Sequence, residues 1–163
     1  MNIQGSCKLG YPASEVFTEG IKSNHWRQEY NGISIRPEDD LIEPGGVVDL
    51  RFTIPKLPLP VKIPVLECLA VVSEYRRDEQ VTLAGEDSKI GAMSLAFILE
   101  EQTPGITTVS YDFEASFNRV RLFKSVTESL IRPPLSLAIG SYASHLTGEI
   151  SNALQPEPMA DAA

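Results

Sequence analysis

The sequence contains few of the residues that bind metals or cross-link a chain. It has two cysteines and two histidines among 163 residues. Cys7 and Cys68 fall within strand-like segments, and they form neither a CxxC pair nor a Cys/His spacing of the kind that holds a metal. We therefore expect both to be reduced core thiols in a cytosolic protein, and we expect no metal and no cofactor.

Basic residues are also scarce. Fourteen lysines and arginines stand against 22 aspartates and glutamates, which gives a formal net charge of -8. The pair Arg76-Arg77 is followed at once by Asp78-Glu79, so we expect no basic cluster to offset the excess of acidic residues. This balance disfavours nucleic acid and anionic membrane surfaces as partners.

Long hydrophobic runs are missing too. No apolar run approaches the roughly 20 residues that span a bilayer, and the first residues lack the basic start and apolar core of a signal peptide. The chain is 42% hydrophobic, which fits one domain, predicted over residues 1–154, with a polar tail at 155–163 predicted to be disordered. We expect a soluble cytoplasmic protein without stable membrane insertion.

Sequence patterns of catalysis are absent as well. No GxSxG spacing marks a nucleophile elbow, and GEDSKIG at 85–91, expected to be a polar turn, lacks a nucleotide-binding pattern. Acidic pairs such as Glu100-Glu101 are interpreted as solvated charges in turns. His145, on the last predicted helix, is interpreted as solvated or structurally hydrogen-bonded. A hydrolase or a nucleotide-binding protein is therefore not expected.

What the sequence does contain is strict alternation. Two neighbouring stretches, joined by a turn at 103–105, place apolar side chains on one face: Met93, Leu95, Phe97 and Leu99, then Val109, Tyr111, Phe113, Ala115 and Phe117. Period two predicts strands. Five further strands are predicted at about 3–9, 33–36, 48–54, 66–72 and 81–83. The proline-rich segment 55–64 is expected to be a stiff loop at the rim of any cavity.

Two helices are expected beside this sheet. A short one begins near Ala13, directly after Pro12. Pro133-Pro134 is expected to prevent a continuous helix from Phe123 onward, because proline in a helix interior costs about 3 kcal/mol. The predicted alternative is a lead-in at 124–130, then a main helix with the prolines in its first turn. Its apolar stripe is Leu135, Ala138, Ile139, Tyr142, Ala143, Leu146 and Ile150.

This order of elements resembles the helix-grip fold of the START-like superfamily, also called SRPBCC, over residues 2 to about 154. The superfamily includes polyketide cyclases and lipid-transfer domains. The nearest likeness is to the type named after the G-subunit of carbon monoxide dehydrogenase, carried by IQGS at 3–6, PASEVF at 12–17, VK at 61–62, TLAGE at 82–86 and TVSYDF at 108–113. The resemblance implies an α+β fold, a curved antiparallel sheet of about seven strands around a long C-terminal helix. It also implies an apolar ligand between the two.

Twelve inward-facing residues form the predicted ligand-binding set: Leu50, Phe52, Leu66, Cys68, Met93, Leu95, Phe97, Tyr111, Phe113, Leu135, Ile139 and Tyr142. The pattern alone is typical of a filled core, because a sheet over one helix buries such residues in any case. The resemblance favours an apolar pocket instead. Both interpretations stay open at this point.

Three functions are compatible with these features. The leading hypothesis is a non-enzymatic protein that binds or carries a small apolar molecule, because no convincing catalytic group is found. An enzyme resembling polyketide cyclases or aromatases is the alternative, with Tyr111, Tyr142 and His145 as proton-transfer candidates. The likeness to the carbon monoxide dehydrogenase type implies a third, an accessory protein for a redox enzyme. Its partner surface would include the outward Ala96 and Ile98, and a homodimer is one arrangement to test.

Overall fold

An antiparallel sheet that curls around one long helix dominates the computed structural model, which describes residues 1–54 and 65–156. The strands lie in the order β1-β7-β6-β5-β4-β3-β2. Their bounds are β1 Asn2–Leu9, β2 Ile33–Pro37, β3 Val47–Thr53, β4 Val65–Arg76, β5 Gln80–Asp87, β6 Gly91–Thr103 and β7 Ile106–Ala115. The helices are α1 Ala13–Gly20 and α2 Lys124–Leu154, and a 3-10 turn at Ser23–His25 follows α1. The predicted α+β helix-grip architecture is confirmed.

Alternation along the strands places one apolar face of the sheet in the interior. Strands β6 and β7 pair so that Leu95 lies opposite Phe113 and Phe97 lies opposite Tyr111. Leu95 and Phe113 are buried. The Phe113 ring packs against the Phe52 ring of β3, with their centroids 5.1 Å apart. The inward row of β6 and β7 is thus the one that period two predicts.

Helix α2 continues through both prolines, so the predicted break before the main helix is wrong. Buried side chains recur along it at Thr127, Ile131 and Leu135, on both sides of the prolines. Burying a side chain such as isoleucine or leucine is worth about 1.5–3 kcal/mol, which offsets the missing hydrogen bonds of the prolines. Pro133 itself is exposed, so water can solvate the carbonyl groups that its nitrogen leaves free.

The turn between β5 and β6 is shorter than expected. Gly85 belongs to β5 and pairs with Met93, and the turn is confined to residues 88–90. A Cβ atom at Gly85 would lie 2.9 Å from the carbonyl oxygen of Leu69 on β4. The glycine therefore serves close packing of β5 on β4 rather than a loop. Phe117, predicted to end a strand, lies beyond β7 as a buried residue with a φ of 49°.

The two cysteines have different surroundings, and both are free thiols. Cys68 is buried, as expected, and its burial raises the pKa of the thiol to about 11. Cys7 is only half-buried, so its expected place in the core is wrong. Its strand, β1, is at the edge of the sheet, and one face of it borders solvent.

Two predictions fall outside the described residues: the proline-rich segment 55–64 lies there entirely, and the tail lies there from residue 157 onward. In the part of the chain that the structure describes, no helix has both the length and the apolar character needed to cross a membrane.

Candidate functional site

A small, partly open apolar cavity of about 40 Å³ lies between α1, the end of α2 and the sheet. Its sheet side is formed by Val81 of β5, Phe97 and Leu99 of β6, and Val109 of β7. The segment of α1 contributes four lining residues, and α2 contributes three: Val16, Phe17, Gly20 and Ile21, then Leu146, Thr147 and Ile150. The Thr147 hydroxyl donates to the carbonyl oxygen of Ala143 at 2.9 Å, so even this polar residue offers the cavity no free donor.

Trp26 closes one side of the cavity and is fixed at three points. Its indole Nε1 donates to the carbonyl oxygen of Gly20 at 2.6 Å. Its ring meets the Phe97 ring edge-on, with centroids 4.9 Å apart. The Tyr142 hydroxyl of α2 donates to the Trp26 carbonyl oxygen at 2.9 Å. Trp26 therefore links the end of α1, the sheet and α2 into one wall.

A small charged network lies behind this wall. The Glu19 carboxylate lies 2.8 Å from Nε2 of the buried His25 and accepts from Nζ of Lys22 at 2.7 Å. The Lys22 hydrogen bond is the main cause that holds the pKa of Glu19 below its usual value, with a further contribution from His25. His25 thus has a structural role, since it holds the 3-10 turn against α1.

Glu101 anchors the other end of α1. Its carboxylate accepts hydrogen bonds from the backbone N–H of Ala13 at 2.8 Å and from that of Gly105 at 2.9 Å. These two bonds, Gly105 first, lower the pKa of Glu101. Its interpretation as a merely solvated charge is therefore wrong, because the side chain joins the first turn of α1 to the β6–β7 turn. A carboxylate at a helix N-terminus also complements the helix dipole.

Eleven of the twelve predicted ligand-binding residues are buried: Leu50, Phe52, Leu66, Cys68, Met93, Leu95, Phe97, Phe113, Leu135, Ile139 and Tyr142. Phe97 is the member of this set that lines the small apolar cavity. Tyr111 is half-buried and faces a separate cleft. Whether any of the twelve contacts a ligand stays a prediction.

Sequence reasoning missed most of the cavity lining. The apolar face of α1, with Val16 and Phe17, was visible in the sequence, but period alone does not separate a residue beside a void from one in a filled core. Trp26 carried no signal of its own, because its role depends on the fold of the segment after α1. The positions of Leu146 and Ile150 on the inward stripe of α2 were the closest pointer.

A second, open cleft of about 620 Å³ lies between β1 and α2. The side chain of Tyr111 crosses it above Gly5, and a Cβ atom at Gly140 would lie 3.2 Å from the Tyr111 hydroxyl oxygen. Both glycines therefore make room for this ring. On the far side, the Tyr30 ring stacks on His145 with centroids 4.4 Å apart, and Nε2 of His145 lies 3.2 Å from the Gln28 amide oxygen.

The polar walls of this cleft are mostly hydroxyl groups, from Ser6, Ser136, Ser141 and Ser144. Desolvation is the main cause that raises the pKa of Tyr111, and Cys7 adds to it. Burial also raises the pKa of Tyr142, whose hydroxyl is committed to Trp26. Tyr142 is thus a poor proton carrier, whereas Tyr111 and His145 both border solvent-accessible space. Within residues 1–54 and 65–156, no three His, Cys, Asp or Glu side chains come together as metal ligands would.

The fold recurs in solved structures of low sequence identity. The protein TTHA0849 from Thermus thermophilus is similar with a TM-score of 0.67 and 9% identity, covering 95% of this chain and 100% of that one. A START superfamily protein from Mycobacterium smegmatis gives 0.61 and 11%, covering 93% and 98%. The di-domain ARO/CYC protein BexL, of the BE-7585A biosynthetic pathway, gives 0.61 and 12%, covering 97% of this chain and 51% of that one.

These neighbours show that the chain has the START-like, or SRPBCC, helix-grip fold. No protein-family model matches the chain, and no curated protein matches its sequence. At such identities, the likeness establishes the fold alone.

Proposed function

We propose that this protein binds a small apolar molecule between the sheet and α2. The observation that carries the proposal is the small apolar cavity between α1, α2 and strands β5 to β7, which presents apolar side chains and no free polar group. Apolar burial is the main source of affinity in such a site. The START-like fold of the chain and of its structural neighbours supports this proposal.

The cavity is too small for a lipid or a polycyclic guest as it stands. Its volume of about 40 Å³ corresponds to one or two water molecules, and cavities with apolar walls stay dry. A guest therefore requires one wall to move. Helix α1 is the best candidate, because it has only eight residues, a length at which isolated helices are not stable. Side chains of other segments, Glu101 and Trp26, hold its two ends.

Filling the cavity tests the proposal. Val109→Leu adds one methylene group to the lining and should weaken binding of the apolar fluorescent probe phenylnaphthylamine by about tenfold or more. Val48→Leu is the matched control, because Val48 is also a buried strand residue but does not line the cavity. It should cost about 1–3 kcal/mol of stability through overpacking and leave probe affinity unchanged.

Native mass spectrometry with fatty acids and aromatic polyketides would then identify the guest class. The proposal fails if neither the probe nor these compounds bind. It also fails if Val109→Leu and Val48→Leu weaken binding equally, since the guest would then lie elsewhere. Guest binding also predicts that the eleven buried residues of the predicted set are contacted in order from α1 inward, beginning at Phe97.

A cyclase-like enzyme is the second candidate, and the open cleft favours it. There the Tyr111 hydroxyl and the His145 imidazole border the same cleft as Tyr30, so both are accessible to a bound polyketide chain. Tyr111→Phe should abolish conversion of a poly-β-keto thioester to an aromatic product, whereas Tyr30→Phe should preserve it. Chromatography of the products measures the conversion. Equal activity of both variants would exclude Tyr111 as the acid.

An accessory role is the third possibility, and it rests on the sequence segments similar to the carbon monoxide dehydrogenase type. Ala96 and Ile98 are half-buried on the outer face of β6, and Leu69 of β4 is exposed on the same face of the sheet. Light scattering would detect a homodimer formed through this face. All three proposals place the protein in the cytoplasm, which the free thiols favour. They include no nucleic-acid partner, because the net charge of the chain is negative.

A further inference from the structure

The segment that leads into α2 exposes large apolar side chains. Leu122 and Phe123 are 75% and 62% exposed, and Val126, in the first turn of α2, is 45% exposed. Phe123 also has a left-handed backbone, with a φ of 57°, which is a rare and costly conformation for a bulky residue. The phenyl group is therefore exposed at a residue whose backbone conformation is itself unfavourable.

Basic residues flank these side chains in the sequence. Residues 119–132 contain four basic residues and one acidic residue, whereas the rest of the chain contains 10 basic and 21 acidic residues. Arg119 pairs with Glu86 at 2.7 Å. Arg121, Lys124 and Arg132 are exposed and form no ion pair with any described residue. The expectation that no basic cluster offsets the acidic residues is therefore wrong for this segment.

We propose that this α2 N-terminal patch, defined as Leu122, Phe123 and Val126 with Arg121, Lys124 and Arg132, binds the surface of a bilayer that contains anionic lipid. Exposed leucine and phenylalanine flanked by lysine and arginine suit the boundary between headgroups and acyl chains. Each basic side chain near such a surface adds several-fold to the affinity through attraction to lipid phosphates. The contact is peripheral, so it requires no membrane-spanning helix.

The net charge of the whole molecule does not prevent this contact. At physiological salt the Debye length is about 8 Å, so acidic groups on distant strands are largely screened from a lipid surface at the patch. Nucleic acid is a weaker fit, because its affinity depends on many phosphate contacts and three free basic residues supply few. A soluble acidic partner would not explain two adjacent, mostly exposed apolar side chains.

Sedimentation of the full chain with vesicles tests the proposal. We expect binding to vesicles of phosphatidylcholine and phosphatidylglycerol in equal parts, and at least tenfold weaker binding to pure phosphatidylcholine. Leu122→Ser with Phe123→Ser should abolish most of this binding. Leu69→Ser with Val71→Ser is the matched control, because it removes two exposed apolar side chains of β4.

Charge reversal separates the electrostatic part. Arg121→Glu with Lys124→Glu should weaken vesicle binding by at least tenfold, whereas Arg36→Glu with Arg77→Glu changes the net charge equally and should have little effect. Phe123→Asn guards against misfolding, since asparagine tolerates the left-handed backbone. It should retain the melting temperature or raise it while weakening vesicle binding.

Three results would overturn the proposal: no binding by the unaltered protein, equal loss in the patch variants and their controls, or binding to soluble polyglutamate that matches binding to vesicles. The last result would point to an acidic protein partner. None of these measurements involves the small apolar cavity, so this proposal and the apolar-ligand proposal stand or fall separately.

Discussion

At the scale of single residues, one buried carboxylate organises the turn between β5 and β6. Asp87 accepts hydrogen bonds through Oδ1 from the backbone N–H of Lys89 at 2.6 Å and of Ile90 at 3.0 Å. Through Oδ2 it accepts from the N–H of Glu67 on β4 at 2.8 Å. A fully buried side chain of this kind is tolerated because its oxygens are satisfied.

We predict that Asp87→Ala lowers the free energy of unfolding by about 3 kcal/mol, because backbone donors lose a charged partner in a buried place. Urea denaturation measures the change. Asp112→Ala is the control: its hydrogen bonds to Asn2 and Gln4 lie near the surface, so we expect a loss of about 0.5 kcal/mol. Equal losses would mean that Asp87 does not hold the turn.

The Glu101 carboxylate should give the stability of α1 a dependence on pH. Its pKa in the folded protein lies below the ordinary value of 4.5. A lowered pKa means that the charged form stabilises the fold above the unfolded pKa and that this contribution disappears as the pH falls through the folded pKa.

We therefore predict that Glu101→Gln reduces thermal stability at pH 7 and that its difference from the unaltered protein shrinks once the pH falls below about 4. Glu100→Gln, at the adjacent exposed residue, should show no such convergence. Melting temperatures measured from acid to neutral pH check both variants. A constant difference across this range would contradict a role for the Glu101 charge.

At the scale of secondary structure, the prolines of α2 show which force determines the helix. Alanine at residue 133 restores an N–H that can donate to the carbonyl oxygen of Ser129. We predict that Pro133→Ala raises the free energy of unfolding by about 1–2 kcal/mol, after the gain in unfolded-chain entropy is subtracted.

The control is Pro44→Ala, in the exposed turn before β3. There the proline replaces no helical hydrogen bond, and its loss should lower stability by about 0.5 kcal/mol through the unfolded chain. Stabilisation by Pro133→Ala together with destabilisation by Pro44→Ala, both measured by urea denaturation, would show that burial holds this part of α2 helical despite the proline. Destabilisation by Pro133→Ala would show instead that the helix needs proline at this point.

The strands and the final helix were largely predictable from the sequence, for a physical reason. The alternation of β6 and β7 reflects burial on one face, and burial also selects the α2 stripe through Leu135 and Ile139. The continuity of α2 was not predictable from local propensity, because buried residues before the prolines, such as Ile131, override it. Burial is a tertiary effect that a window of sequence does not contain.

The candidate site was less predictable than the fold. A void of about 40 Å³ depends on how closely α1 and Trp26 approach the sheet, and side chains of the same kind fill the core beside Phe113. The α2 N-terminal patch was hidden for another reason. Net charge averages over the whole chain, whereas a surface is defined by the few residues that lie together, here from Arg121 to Arg132.

At the scale of the whole molecule, the two proposed sites lie at opposite ends of α2. Val126 belongs to the patch and Leu146 lines the cavity, and twenty residues of helix span up to about 30 Å. Helix α1, the wall expected to move, packs beside the cavity end of α2. Vesicle binding and guest binding should therefore change hydrogen exchange in different segments of the protein.

Hydrogen exchange measured by mass spectrometry can detect both changes. Without additions, we predict faster exchange of the α1 amides than of β6 and β7, because α1 must open while the central strands exchange only by global unfolding. An apolar guest should change exchange at α1 and around Trp26. Anionic vesicles should slow it at residues 121–132 and leave α1 unchanged. If α1 is as protected as the central strands, the proposal that α1 moves is wrong. If both additions change exchange in the same residues, the proposal of a separate lipid-binding surface is wrong.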